Sequence, residues 1–213
     1  MDNVFLFVPN LIGYGRVLLA LLSLYLMAER HVAAGVCYVI SGLLDALDGH
    51  AARLLNQSSR FGAMLDQLTD RCATMCLLAC LCAFYPHRML WFQLSMAIDI
   101  SCHWIHLHVT TLRGRGSHKS IGGEGSALLR LYYTSRPLLF CMCGGNELFY
   151  SMLYLLHFTE GPAVLGLGLV RVLAWLSAPV AVAKSAIALV QGYGAWAELG
   201  RLDIEERAAA KAL

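Results

Sequence analysis

Long apolar stretches separated by short polar connections dominate the chain. A helix that crosses the hydrocarbon core of a bilayer needs about 20 mainly apolar residues. Within lipid, a helix satisfies all its backbone polar groups inside its own segment. The pattern therefore predicts an all-α integral membrane bundle of about six transmembrane helices within residues 1–195. A cytosolic C-terminal tail at 196–213 follows, and we expect it to be a solvated helix end. The apolar stretches cover roughly residues 4–28, 32–52, 62–84, 88–112, 135–158 and 163–195.

Composition supports a membrane protein and disfavours one class of partner. Hydrophobic residues make up 58% of the chain and charged residues 14%, whereas soluble domains carry about 25% charged residues. The formal net charge is only +2, so we expect no nucleic-acid partner, which would need a concentrated basic face. The eight cysteines all fall in apolar stretches, where Cys behaves as a small hydrophobe.

Lysine and arginine are distributed unequally between the two sides of the predicted bundle. The connections on one side of the predicted bundle hold only Arg30 and Arg88. Those on the other side hold most of the basic residues. The positive-inside rule then places both termini and the connections 53–61 and 113–134 in the cytosol. The basic residues on the cytosolic side are Arg53, Arg60, Arg113, Arg115, Lys119, Arg130, Arg201, Arg207 and Lys211.

Four aspartates lie near the cytosolic ends of the second and third apolar stretches. A carboxylate at the middle of a membrane helix costs roughly 2.5–3.5 kcal/mol on insertion scales, so it indicates a functional residue. Asp45 and Asp48 are three positions apart and Asp66 and Asp70 are four apart, so each pair shares a helix face. The short polar turn 56–60 makes the two helices antiparallel, and the pairs are expected to converge.

Four converging carboxylates need compensation by cations, since like charges in a half-buried site repel. Oxygen ligands in this number suit Mg²⁺, Mn²⁺ or Ca²⁺ better than zinc. Two such ions about 3.5–4 Å apart are a common device for displacement at phosphorus. The alternative is four solvated or helix-capping aspartates at the interface.

The neighbouring residues favour a phosphate-containing ligand. Gly49 follows Asp48 directly and lets a ligand approach the backbone. Arg53 lies one turn further along the same helix, and its planar fork suits a diphosphate. Gly62 lies near the start of the next helix and permits close helix contact.

Two other classes of membrane protein also use intramembrane carboxylates. An ion-coupled transporter would place them near mid-membrane, often in broken and repeated helices. Here they cluster at one face, and the sequence shows no internal repeat. An intramembrane aspartyl protease needs two aspartates on separate spans, without the accompanying arginine and glycines.

The spacing of these residues resembles the complete signature of the CDP-alcohol phosphatidyltransferase family. It consists of Asp45-x-x-Asp48-Gly49-x-x-Ala52-Arg53, eight residues, Gly62, three residues, Asp66, three residues and Asp70. The similarity extends over about residues 3–190 and is nearest to the animal branch that uses myo-inositol as acceptor. It includes the segments 7–14, 41–44, 103–108, 132–137 and 145–150.

The resemblance implies transfer of a phosphatidyl group from CDP-diacylglycerol to myo-inositol, with release of CMP. The aspartate signature by itself leaves glycerol phosphate, serine and choline open as acceptors. The resemblance further implies an active site facing the cytosol, a multi-pass protein of the endoplasmic reticulum membrane, and a homodimer formed through transmembrane helices.

The resemblance also implies roles for the aspartates. Asp45, Asp48 and Asp66 would hold a first Mg²⁺ or Mn²⁺ ion. Asp45, Asp66 and Asp70 would hold a second, and Asp70 would be the general base.

Other positions would contact the substrates. Gly49, Arg53 and Ser59 would bind the head of CDP-diacylglycerol. Asn10 and Arg16 are candidates for contact with its cytidine part. Arg136, at the start of the fifth apolar stretch, is either an acceptor-binding residue or an interfacial anchor.

Overall fold

The computed structural model describes residues 3–113, 135–164 and 166–211, without the side chains of Arg136 and Val164. Within these ranges the chain is almost entirely helical. Arg115, Lys119 and Arg130, on the predicted cytosolic connection, lie outside the described residues. The α-helices are α1 (Val8–Leu26), α2 (His31–Leu54), α3 (Arg60–Phe84), α4 (Met89–Arg113), α5 (Arg136–Leu156) and α6 (Leu169–Lys211).

Short elements join some of these helices. A 3₁₀ turn, Val4–Leu6, precedes α1, and a second one, Pro86–Arg88, precedes α4. Strands β1 (Ala163–Val164) and β2 (Leu167–Gly168) form a small antiparallel hairpin before α6.

Five helices in the described part of the chain, α1, α2, α3, α5 and α6, are long and apolar enough to cross a membrane. Helix α4 is 25 residues long but is not among them. It carries Asp99, His103, His106 and His108, which lower its hydropathy. The predicted all-α membrane bundle is thereby confirmed, and the chain is a multi-pass membrane protein.

The last helix begins later than the last apolar stretch predicted. Helix α6 begins at Leu169 rather than near 163, because the hairpin precedes it. Gly161 and Gly166 there have φ of 71° and 82°, values that side-chain-bearing residues rarely adopt. At its other end α6 continues to Lys211, so the segment from residue 196 forms the end of this helix. Strong helix formers after residue 201 favour this continuation.

The chain divides into two compact units. The first comprises Met1–Phe92 with Tyr150–Arg171, and the second Gln93–Phe149 with Val172–Leu213.

Small and polar residues pack α1 against α2 in the first unit. The Ser23 hydroxyl donates to the carbonyl of Ala34 at 2.8 Å, and both residues are fully buried. The Tyr154 hydroxyl donates to the carbonyl of Met27, also at 2.8 Å. Small residues let membrane helices approach closely, and buried hydroxyl groups need such partners. The contact between Ser23 and Ala34 holds α1 against α2, the helix that carries Asp45 and Asp48.

In the second unit, α4 packs against the C-terminal half of α6. Ile105, Val109 and Ala195 form a buried cluster with Leu199 at its edge. A β-carbon on Gly192 would lie 2.6 Å from Sγ of Cys102, so the two helices approach closely there.

Candidate active site

Arg16 of α1 stands at the centre of the aspartate cluster. Nη1 of its guanidinium lies 2.8 Å from Oδ2 of Asp48 and 2.6 Å from Oδ1 of Asp66. Nη2 lies 2.8 Å from Oδ1 of Asp45 and 2.7 Å from Oδ1 of Asp70. The structure therefore brings all four aspartates together around one cation.

Each terminal nitrogen of Arg16 bridges the two helices. Nη1 joins Asp48 of α2 to Asp66 of α3, and Nη2 joins Asp45 of α2 to Asp70 of α3. This arrangement requires both pairs to face α1, which the spacings of three and four residues permit. Three elements thus meet at the guanidinium.

From the sequence, Arg16 is predicted only to contact the cytidine part of the nucleotide, and its position among the four carboxylates is not predicted. The available signal was its charge, since Arg16 is the single charged residue of α1. An intramembrane charge is costly for an arginine as it is for an aspartate, and it indicates a functional residue in both cases. Arg16 is 1% exposed, and a buried charge of this kind needs paired partners.

The donor set of the cluster fits a divalent cation. Oxygen atoms of Asp45, Asp48 and Asp66 all lie within 4.8 Å of one another. Four carboxylates carry four negative charges against the single positive charge of Arg16, so the cluster retains a strong attraction for cations. The side chains of Asp45, Asp66 and Asp70 are 40–45% exposed, which leaves room for a ligand to reach them.

A pocket of about 180 Å³ adjoins the cluster. Asp48 and Asp66 belong to its wall. Gly49, Arg53 and Ser59, which are predicted to bind the head of CDP-diacylglycerol, also line it. So does Asn10, a candidate for contact with the cytidine part.

Local backbone chemistry builds the wall of this pocket. Ser59 caps the N-terminus of α3, where its hydroxyl accepts a hydrogen bond from the backbone N–H of Gly62 at 2.9 Å. Asn56 has a φ of 53°, a left-handed conformation that Asn tolerates better than most residues. Gln57 ties the turn to α1, because its side-chain oxygen accepts from the backbone N–H of Val8 at 2.9 Å.

The first turns of two helices contribute to the pocket. Pro9 and Asn10 lie at the start of α1, and Ser59 and Gly62 lie at the start of α3. A helix N-terminus carries a partial positive charge and favours anions. Arg53, in the last turn of α2, adds a full positive charge. The pocket therefore suits an anionic group.

Arg136 is the first residue of α5, but its side chain lies outside the described part of the structure. Its assignment to an acceptor pocket stays a prediction.

Comparison with known proteins gives a consistent family match. The family model for CDP-alcohol phosphatidyltransferase matches residues 6–182. A Homo sapiens protein named CDP-diacylglycerol–inositol 3-phosphatidyltransferase is 54% identical over 210 residues, which are 99% of this chain and 99% of the relative.

Proteins of the same name in other organisms are also similar. The Drosophila melanogaster protein is 53% identical over 206 residues, covering 97% of this chain and 90% of its own. The Schizosaccharomyces pombe protein is 44% identical over an alignment of 227 residues, which covers 99% of this chain and 96% of the relative. No solved structure matches the chain.

Proposed function

We propose that this chain, which belongs to the CDP-alcohol phosphatidyltransferase family, transfers the phosphatidyl group of CDP-diacylglycerol to myo-inositol, giving phosphatidylinositol and CMP. One observation carries the proposal. Relatives named for this reaction are 54% identical over 99% of both chains. The aspartate signature, present at every fixed position, supplies the chemistry common to the family.

The pocket beside the aspartates supports a site for the CDP-diacylglycerol head. Its wall combines two helix N-termini with Arg53, and each of these features stabilises a diphosphate. Gly49 has no side chain at the point where a phosphate would approach α2. A β-carbon there would lie 3.6 Å from Nη1 of Arg53, an ordinary van der Waals contact, so the position lies directly beside the guanidinium.

The aspartates support a site for two divalent ions, Mg²⁺ or Mn²⁺. Asp45, Asp48 and Asp66 would hold the first ion, and they are the three residues whose oxygen atoms lie within 4.8 Å of one another. Asp45, Asp66 and Asp70 would hold the second. When bound, such ions neutralise the charge of the diphosphate and make CMP a better leaving group.

Asp70 is proposed as the general base. It lies one helical turn further into the bundle than Asp66, beyond the pocket wall to which Asp48 and Asp66 belong. Its carboxylate would take the proton of an inositol hydroxyl as the hydroxyl oxygen attacks the β-phosphorus. The bond from that phosphorus to the CMP oxygen breaks, and CMP keeps the electron pair. Holding both reactants in line supplies much of the acceleration of such a reaction.

Location and assembly are also part of the proposal. We place the protein in the endoplasmic reticulum membrane, with the active site facing the cytosol, as a homodimer formed through its transmembrane helices. The family resemblance supports the compartment and the dimer. The excess of Lys and Arg on one side supports the orientation.

The test is an assay of CMP release from CDP-diacylglycerol by the purified protein, with myo-inositol, glycerol 3-phosphate, serine and choline supplied in turn. We expect release with myo-inositol, loss of release after chelation, and recovery with Mg²⁺ or Mn²⁺. Release with another alcohol alone would reassign the acceptor. Full release after exhaustive chelation would exclude the metal site.

A further inference from the structure

Arg16 contacts every one of the four signature aspartates, yet it is not part of that signature. Its guanidinium is buried on α1 and reaches oxygen atoms on both α2 and α3. The carbonyl of Arg16 also accepts a hydrogen bond from the buried hydroxyl of Ser41 at 3.0 Å. Backbone and side chain alike tie this residue to α2.

We propose that Arg16 is a positioning residue that acts as an internal counter-ion. Its guanidinium holds the four carboxylates together when no divalent ion is bound, and divalent ions compete with it for the same oxygen atoms. The inference rests on the metal site of the proposed function. It gives Arg16, a residue outside the aspartate motif, the role of counter-ion to the four aspartates.

The competition follows from the contacts. Nη1 and Nη2 lie 2.6–2.8 Å from oxygen atoms of all four carboxylates, so the guanidinium fills the space on which these oxygens converge. A metal ion coordinated by Asp45, Asp48 and Asp66 would need oxygen atoms from the same groups. The two cations cannot both sit at the point of convergence, and the guanidinium must withdraw for the ion to bind.

Two opposite effects of removing the charge follow. Without Arg16 the metal-free cluster has four like charges and no counter-ion, so the metal-free protein is destabilised. Without Arg16 an entering cation meets no competing or repelling charge at the point where the four carboxylates converge, so it binds more tightly. A residue that only packs the helices would lower stability without tightening metal binding.

The geometry also explains the choice of arginine. Its two terminal nitrogens each bridge one aspartate of α2 and one of α3. A lysine ammonium is a single point on a flexible stem, so it cannot occupy both bridging positions at once. Arg16→Lys therefore keeps the charge but is expected to retain only part of the effect.

The experiment compares the full-length protein in detergent with Arg16→Met, Arg16→Lys, Asp70→Asn and the Arg16→Met/Asp70→Asn double variant. Apparent melting temperatures are measured after removal of divalent ions, and Mn²⁺ alone is then titrated by electron paramagnetic resonance. Arg171→Met is the control, because it removes an arginine from the exposed ion pair with Glu160.

We expect Arg16→Met to melt several degrees lower than the parent without metal and to bind Mn²⁺ roughly tenfold more tightly, within the usual range for coupled ligands. The melting temperature and the Mn²⁺ affinity of Arg16→Lys should lie between those of the parent and of Arg16→Met. In the metal-free protein, Asp70→Asn should raise the melting temperature when Arg16 is absent but not when it is present. The control should change neither measurement appreciably.

An unchanged metal-free melting temperature in Arg16→Met, or weaker Mn²⁺ binding in that variant, would overturn the proposal. If Arg16→Met does not fold, Arg16→Lys and the double variant decide, since tighter Mn²⁺ binding by Arg16→Lys is still required. A failure of the proposed function can be distinguished from a failure of the role proposed for Arg16. A parent protein that binds no Mn²⁺ and releases no CMP refutes the metal site, whereas the metal-free melting series still tests Arg16 as counter-ion.

Discussion

A β-carbon on Gly62 would lie 2.6 Å from Oδ1 of Asn10. Asn10 is 1% exposed, and its amide nitrogen donates to the carbonyl of Val4 at 2.6 Å. This hydrogen bond and the burial of the side chain restrict the Asn10 amide, so it cannot easily move away from a group added at Gly62. The absence of a side chain at Gly62 is what allows α1 and α3 to meet at the edge of the pocket.

Gly62→Ala should weaken binding of CDP-diacylglycerol. The added methyl group must displace Asn10, which lines the pocket, or push α3 away from α1. Overpacking of this kind costs about 1–3 kcal/mol, and we expect a rise of roughly tenfold or more in the KM for CDP-diacylglycerol. KM and melting temperature are measured together.

Gly15→Ala is the matched control for this variant. Gly15 lies on α1, but a β-carbon there would meet no atom within 4 Å. It should leave both KM and melting temperature close to those of the parent. Equal behaviour of the two variants would show that the contact between Gly62 and Asn10 does not shape the pocket.

Arg53→Lys should lose most of the activity while the protein still inserts and folds. Arg53 is exposed and lines the pocket, so its replacement disturbs no core packing. Lysine keeps the charge but not the planar fork that binds a diphosphate through two hydrogen bonds. We expect kcat/KM to fall by at least about tenfold with an unchanged melting temperature. Activity near that of the parent would mean that Arg53 is not a bidentate ligand of the diphosphate.

The convergence of the aspartates could be predicted from sequence because it depends on local geometry. Spacings of three and four residues place each pair on one helix face. The short turn between α2 and α3 leaves the helices only an antiparallel arrangement. Both facts can be read from the order of residues along the chain.

The central position of Arg16 could not be predicted in the same way. It depends on how α1 is rotated about its axis against α2 and α3, and that rotation follows from contacts between distant residues. One such contact is Gly13 against Leu65, where a β-carbon would lie 2.9 Å from Cδ2. No spacing within α1 reveals which of its faces meets the aspartates.

The helix end of α6 beyond the apolar stretch could be predicted for a different reason. Hydropathy falls after residue 195, but helix formation follows backbone propensity, which stays high there. Packing of Leu199 near Val109 and the ion pair between Arg113 and Glu198 add tertiary support beyond that point. Apolar length alone does not mark where such a helix ends.

Ser58→Cys should react with a membrane-impermeant thiol reagent from the cytosolic side only. Ser58 is exposed in the turn between α2 and α3 and belongs to the pocket wall. His87→Cys, exposed in the connection between α3 and α4, is the control and should react only from the lumen. The native cysteines all lie within helices. Labelling at position 58 from the lumen would reverse the topology and place the site on the wrong side for the proposed orientation.

Asp70→Asn should abolish transfer while leaving the affinity for CDP-diacylglycerol largely intact. Asp70 lies beyond the pocket wall that Asp48 and Asp66 help to form, one turn further along α3. Asparagine keeps the size of the side chain and one oxygen atom but cannot accept the proton of an alcohol. Loss of a positioned base typically costs 10²–10⁴-fold in rate, and loss of a metal ligand adds to that.

Asp48→Asn provides the comparison, because Asp48 belongs to the pocket wall. It should weaken binding of the metal and of CDP-diacylglycerol together, so KM changes along with kcat, whereas Asp70→Asn should change kcat almost alone. Rates of CMP release and affinities for CDP-diacylglycerol are measured for both variants. If Asp70→Asn kept more than about a tenth of the parent rate, the loss would fall below the range of a general base. The proton of the inositol hydroxyl would then leave by a route that does not involve Asp70.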